Sequence, residues 1–160
     1  MAGLFALSLL SACGLETTID GDVAGFDLPT VGTMEWGGKY VFFSDEELGC
    51  ADLWWVHHTY SSGLDPTDGL VDDLIGIQFT FLDDDDAFEG NFSVAADAPV
   101  SAKVLMLEGG AFDQSRGRSG TFVIDELEDA DVASGTFDVT FDDGTFSGTW
   151  EADFCVNLPD

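Results

Sequence analysis

The chain of 160 residues is short of positive charge. Lys39, Lys103, Arg116 and Arg118 stand against 32 Asp and Glu, a formal net charge of −28. Nucleic-acid binding needs clustered basic side chains to neutralise phosphates, so that class is excluded. Electrostatic docking on anionic lipid is excluded for the same reason. Long helical periodicity is also missing, which argues against an α-helical fold. So are the usual signatures of catalysis. No Gly-x-Ser-x-Gly elbow occurs, and Gly117-Arg118-Ser119-Gly120 lacks both the lysine and the following helix of a phosphate loop. No spacing among the many acids selects a carboxylate pair for glycoside hydrolysis. The expectation is a protein that is not an enzyme and carries no cofactor.

What is present is a core. Hydrophobic residues make up 45% of the chain, with 14 Phe, 4 Trp and 2 Tyr, far too many for the disorder that high net charge otherwise favours. The length suits one domain. Its apolar residues follow period 2, the signature of a strand with one face buried. Ile75, Ile77, Phe79 and Phe81 alternate with small or polar residues. So do Phe137, Val139 and Phe141, and then Phe146, Gly148, Trp150, Ala152 and Phe154. The last two runs are joined through Asp143-Gly144, which predicts a hairpin. Shorter candidate strands are Lys39–Phe43, Asp52–Tyr60, Asn91–Val94, Ala102–Glu108 and Thr121–Ile124, while Glu126–Val132 reads as an acidic connection.

A short motif recurs as Ser119-Gly120-Thr121-Phe122, Ser134-Gly135-Thr136-Phe137, Gly144-Thr145-Phe146 and Ser147-Gly148-Thr149-Trp150. Its spacing is unequal, so it is no solenoid or propeller repeat. Each copy is expected to open or bend a strand, with Thr outward and the aromatic inward. The fold expected is all-β: a single antiparallel domain of about eight strands, either a small β-barrel or a two-sheet β-sandwich. Gly148 within an apolar strand face would permit the bend of a barrel.

Met1–Ala12 is apolar and uncharged. It is too short for a transmembrane helix, which needs about 20 residues, and has the length of a signal-peptide apolar region. It runs into Leu10-Ser11-Ala12-Cys13, which resembles the lipobox of bacterial lipoproteins. No Lys or Arg precedes it, where such signals carry one. The resemblance implies a signal peptide over 1–12, cleavage before Cys13, and acylation of Cys13 on its thiol and freed amine. Its thiolate is a nucleophile that serine could not replace. Two or three acyl chains anchor stably, where one binds marginally. Gly14, rather than Asp, leans within that resemblance toward the outer membrane, facing the periplasm or the cell surface. The C-terminal stretch likewise looks like the Gly-rich domains of small β lipoproteins of unknown function. Residues 13–33 then read as the lipidated N-terminus and an acidic tether reaching about 25 Å, with a short edge strand as an option inside it. Residues 34–160 form the β domain.

With Cys13 lipidated, Cys50 and Cys155 remain, and an exported protein most simply pairs them. The alternative is two separate buried thiols. A loop that long contributes roughly 4–5 kcal/mol in the chain-entropy account.

Two further groups invite a function. Asp83, Asp84, Asp85 and Asp86, with Glu89, suggest a calcium site, although the EF-hand pattern fails at Ala87 and Phe88. The plainer reading is a solvated hairpin tip, and the same holds for Asp125, Glu126, Glu128, Asp129 and Asp131. His57 and His58 would point to opposite faces of a strand and so could not share a metal. Trp54, Trp55 and His57 could stack a glycan or a small apolar ligand, against a plainer role in packing. The expected role is therefore structural or interactive, with a glycan, apolar ligand or calcium as the alternative cargo and an envelope protein or glycan as partner.

The acids fall mainly on outward strand positions and loops, where they keep a β domain soluble. Their self-repulsion is screened by salt. Midpoints of urea unfolding should rise as NaCl is added toward about 1 M; a steady fall would refute this reading of the charge.

Overall fold

The computed structural model describes residues 17–28, 33–37, 39–46, 48–52, 73–82, 89–109, 111–128 and 132–155. The fold is all-β, as expected. Among the described residues nine strands run β1 (Thr18–Val23), β2 (Thr33–Gly37), β3 (Tyr40–Ser44), β4 (Leu74–Phe81), β5 (Gly90–Val94), β6 (Val100–Glu108), β7 (Ala111–Glu128), β8 (Val132–Phe141) and β9 (Gly144–Phe154). All belong to one sheet, in the order β1-β9-β2-β3-β4-β6-β5-β7-β8, with β8 pairing back onto β9 and β7 onto β6. The pairing is antiparallel apart from β2–β9 and β5–β6.

The sheet curls round on itself, but it stops short of a closed barrel. Among the described residues β2 and β9 share Glu35↔Asp153 and Trp36↔Phe154. Two packed sheets are not what forms: a single sheet wraps one core.

That core explains the curl. Phe43, Phe79, Phe122, Phe146 and Trp150 are fully buried, and they touch across the interior rather than along one strand. The Phe79 and Phe122 rings stack at 4.3 Å, Phe122 and Trp150 at 5.1 Å, and Phe43 and Phe137 at 5.7 Å. Such pairs add about 0.5–1.5 kcal/mol each beyond their area.

Three of these rings come from the recurring motif, and its glycines have a clear task. In all four copies the aromatic is buried: Phe122, Phe137, Phe146 and Trp150. Thr121, Thr136 and Thr145 are exposed and Thr149 half-exposed. A Cβ on Gly120, Gly135, Gly144 or Gly148 would run into the backbone carbonyl of Asp138, Val123, Asp22 or Thr18 respectively. Each glycine thus admits a neighbouring strand that any side chain would push away. Gly148 makes room for β1 in this way, beyond the bend anticipated for it.

Several expectations need correcting. Part of the stretch expected as tether, residues 13–33, is a strand. Thr18–Val23 pairs along β9 from Thr149 to Gly144, and Val23 and Leu28 are buried, so the optional edge strand is the one that forms. The connection expected over Glu126–Val132 is shorter, because β7 continues through Glu128 and β8 begins at Val132.

β7 also starts earlier than Thr121 and has two partners on one side. Its residues 111–116 pair with β6 and 120–124 with β5. Between those stretches a bulge at Gly117/Ser119 bends it. β4 is not half-buried but covered on both faces. Its inner face enters the aromatic core, and Leu74 on the outer face joins a second cluster with Phe42, Leu48, Leu105, Leu107 and Cys155. Gly76 leaves the space that the Phe42 ring fills.

Cys50, where a short helical stretch begins, is bonded to Cys155 with a Cα separation of 5.4 Å. The bridge lies on that outer cluster.

Overpacking a tight site costs about 1–3 kcal/mol. Gly135→Ala should therefore lower unfolding stability by that amount. Gly49→Ala, whose Cβ would meet only Asp52 at an ordinary 3.6 Å, should change it by less than about 0.5 kcal/mol. Urea unfolding of both variants tests the assignment, and equal losses would contradict it.

Candidate functional site

The described surface has one end where the interior opens. β6 and β7 form a hairpin that pairs as far as Glu108 opposite Ala111, with Gly109 leading into the connecting loop. Gly109 sits at φ 55°, the left-handed conformation such a loop requires. Its N–H donates to Asp73 Oδ1 at 2.8 Å, which ties the loop to the head of β4. Along this hairpin Val104, Met106 and Glu108 share the inner face with Ala111, Asp113 and Ser115, as the register and the burial of Val104 and Met106 require. The aromatic interior ends at Met106, and Glu108 and Asp113 carry that face out into solvent.

A second element reaches over the same opening. After β1, Ala24 and Gly25 both take positive φ. They turn the chain so that Val23 and Phe26 exchange backbone hydrogen bonds of 2.9 and 3.0 Å. The Ala24 N–H donates to the Asp143 carbonyl in the β8–β9 turn at 2.9 Å, and this fixes the Phe26 ring against the core.

Between the two elements lies a cleft of about 390 Å³ lined by Phe26, Met106, Glu108, Ala111, Phe112 and Asp113. That volume is in the range that holds small organic ligands, and the mouths of β-barrels are frequent places for them. The Phe112 side of the cleft is open: this residue is 37% exposed, unusual for a large apolar side chain here. Asp113 is oriented by its own strand, with Oδ1 accepting from the Gln114 N–H at 2.7 Å. One rung deeper on the inner face, the Ser115 hydroxyl is buried and has no hydrogen-bond partner.

The outer face of the same hairpin has the opposite charge. Lys103 and Arg116 stand directly across from each other, and Arg118 follows at the bulge. Arg118 makes an ion pair with Asp142. Asp142 is held there by its own N–H, which donates to the Arg116 carbonyl at 3.0 Å.

The residues singled out from the sequence are not brought together here. Cys13, Trp54, Trp55, His57 and Asp83–Asp86 lie outside the described residues. Glu89 is exposed, and its Oε1 accepts from the Leu127 N–H at 3.4 Å. Asp125 and Glu126 stand exposed on β7 rather than on a connection. Among the described residues no cluster of His, Cys, Asp or Glu is arranged to hold a metal ion, and no helix is long and apolar enough to cross a membrane.

The cleft itself was missed in the sequence. The one available signal was Val23-Ala24-Gly25-Phe26, an apolar quartet inside an acidic stretch. No protein-family model, curated protein or solved structure matches this chain.

Burial first, and the Arg116 guanidinium second, hold the Lys103 ammonium below its ordinary value of 10.5. The unfolded chain then keeps that proton more readily than the folded one. The resulting penalty is present at neutral pH and is relieved as pH rises through the folded value toward 10.5. Lys103→Met should be more stable than the parent near pH 7, with the gap narrowing by about pH 10. Urea midpoints at the two pH values check this, and a gap of constant size would contradict it.

Proposed function

We propose that this protein is a non-enzymatic, lipid-anchored β domain exported by a bacterium, facing the periplasm or the outside, with a structural or interaction role. The observation that carries the reading is the Cys50–Cys155 bridge. A structural disulfide suits an oxidising, extracytoplasmic compartment. It also uses two of three cysteines and leaves Cys13 as the odd one, within Leu10-Ser11-Ala12-Cys13. The anchor would supply all the membrane affinity, which a chain of −28 does not have of itself. The outward acids would keep the domain soluble and separate from the anionic lipid surface.

A second reading is favoured by the cleft at Phe26, Met106 and Phe112: the domain binds a small, largely apolar ligand at the mouth of its curled sheet. The glycan and calcium alternatives rest on Trp54, Trp55, His57 and Asp83–Asp86, outside the described residues.

Growth of a bacterial host expressing the chain with radiolabelled fatty acid tests the anchor. Label is expected on the parent and not on Cys13→Ala. Equal label on both, or none on the parent, would refute it.

A further inference from the structure

We propose that the cleft at the mouth of the curled sheet selects small amphipathic cations: an aryl or alkyl group of a few carbons carrying an ammonium. The inference rests on the second reading above and names its ligand class. Phe26, Met106 and Ala111 give the cleft walls that favour an apolar body, and Phe112, opposite Leu107 on the outer face, only edges it. Ring faces and a thioether are also good neighbours for an ammonium.

The polar groups of the lining are all of one sign. Glu108 and Asp113 border the cleft, and no Lys or Arg lines it. Because Glu108 pairs with Ala111 and Met106 with Asp113, the two carboxylates are diagonal neighbours on one face, roughly 7–8 Å apart at the backbone. Like charges so placed repel each other, and a cation between them removes that repulsion. Described strand acids such as Asp138 and Asp153 stand exposed on solvated faces, whereas these two border an apolar depression.

The two faces of the hairpin sharpen the choice. Lys103 and Arg116, two of the four basic residues in the chain, are on its outer face, away from the cleft. An anionic ligand entering the mouth would meet only carboxylates, within the field of a −28 protein. A neutral ligand would leave the Glu108–Asp113 repulsion in place. An ammonium with an apolar tail satisfies both the walls and the rim.

Calorimetric titration of the full chain in about 0.15 M NaCl, using three probes of similar shape, tests this. 2-Phenylethylammonium is expected to bind, 2-phenylethanol to bind about tenfold more weakly, and 3-phenylpropionate not to bind measurably. Glu108→Gln with Asp113→Asn should weaken the ammonium about tenfold and leave the alcohol unchanged. Phe26→Ala should weaken both.

Asp138→Asn with Asp153→Asn makes the same charge change on exposed residues outside the cleft and should have less than about a twofold effect. If that control weakens the ammonium as much as the cleft pair does, the attraction is the field of the whole chain and the proposal is overturned. If the alcohol binds as tightly as the ammonium and depends on Phe26, the apolar cleft stands and the cation class falls. If none of the three probes binds, both readings fall.

Discussion

A single β-sheet can bury a cluster of large rings on one face only by curling round it, and the rest of this structure follows from that demand. The rings of Phe43, Phe79, Phe122, Phe137 and Trp150 meet across the interior, so β3 and β4 must face β7, β8 and β9. A sheet coiled this tightly brings neighbouring backbones close at particular points. At those points the sequence places Gly120, Gly135, Gly144 and Gly148, each beside a carbonyl that a Cβ would strike. The Gly-Thr-aromatic motif couples the two requirements. One residue admits the neighbouring strand, the next faces water, and the third fills the space that the curl encloses.

The same curl gives the charge its pattern. Alternation along each strand sends acids outward, where they are solvated and keep strand edges from pairing with other chains. At the β6–β7 hairpin the alternation continues past the end of the core. Inner-face positions that would hold apolar residues deeper down carry Glu108 and Asp113 instead, beside Met106 and beneath Phe26. On the reverse side of these two strands, Lys103 and Arg116 oppose each other, and the partial burial of Lys103 lowers its affinity for a proton. One hairpin thus separates charge across its own thickness, with carboxylates toward the mouth and cations away from it.

What could be read from the sequence was local. Period-2 alternation located the apolar inner faces of β4, β8 and β9, Asp143-Gly144 located the hairpin between the last two, and the motif fixed which aromatics turn inward. The missing parts depend on pairing at a distance. β1 reads as tether because Asp20-Gly21-Asp22 is polar and its stability comes from the β9 ladder. β5 and β6 read as two ordinary strands, and nothing local says that both lie along one side of a long, bulged β7. The outer cover of β4 was hidden because Gly76 and Gln78 look solvent-facing, although Gln78 is buried. The cleft was hidden for a further reason. Phe26 and the hairpin at residues 106–113 are far apart in the chain, and each is unremarkable alone.

The seam where β2 meets β9 is a short one, two parallel residue pairs among the described residues. Parallel pairing is the less stable kind per residue, and a ladder this short offers few hydrogen bonds. The second of those pairs involves Phe154, and the next residue is Cys155. The disulfide therefore leaves the chain immediately beyond the seam and secures the end of β9 to Cys50, over the outer cluster of Phe42, Leu74, Leu105 and Leu107. The covalent link adds holding force at a point where the sheet supplies little of its own. Its loop spans a sequence separation of 105, so reduction, by freeing the unfolded chain, would lower the stability of the fold by roughly 4–5 kcal/mol in the chain-entropy account. A seam with so short a ladder depends on that bond more than a fully laddered one would.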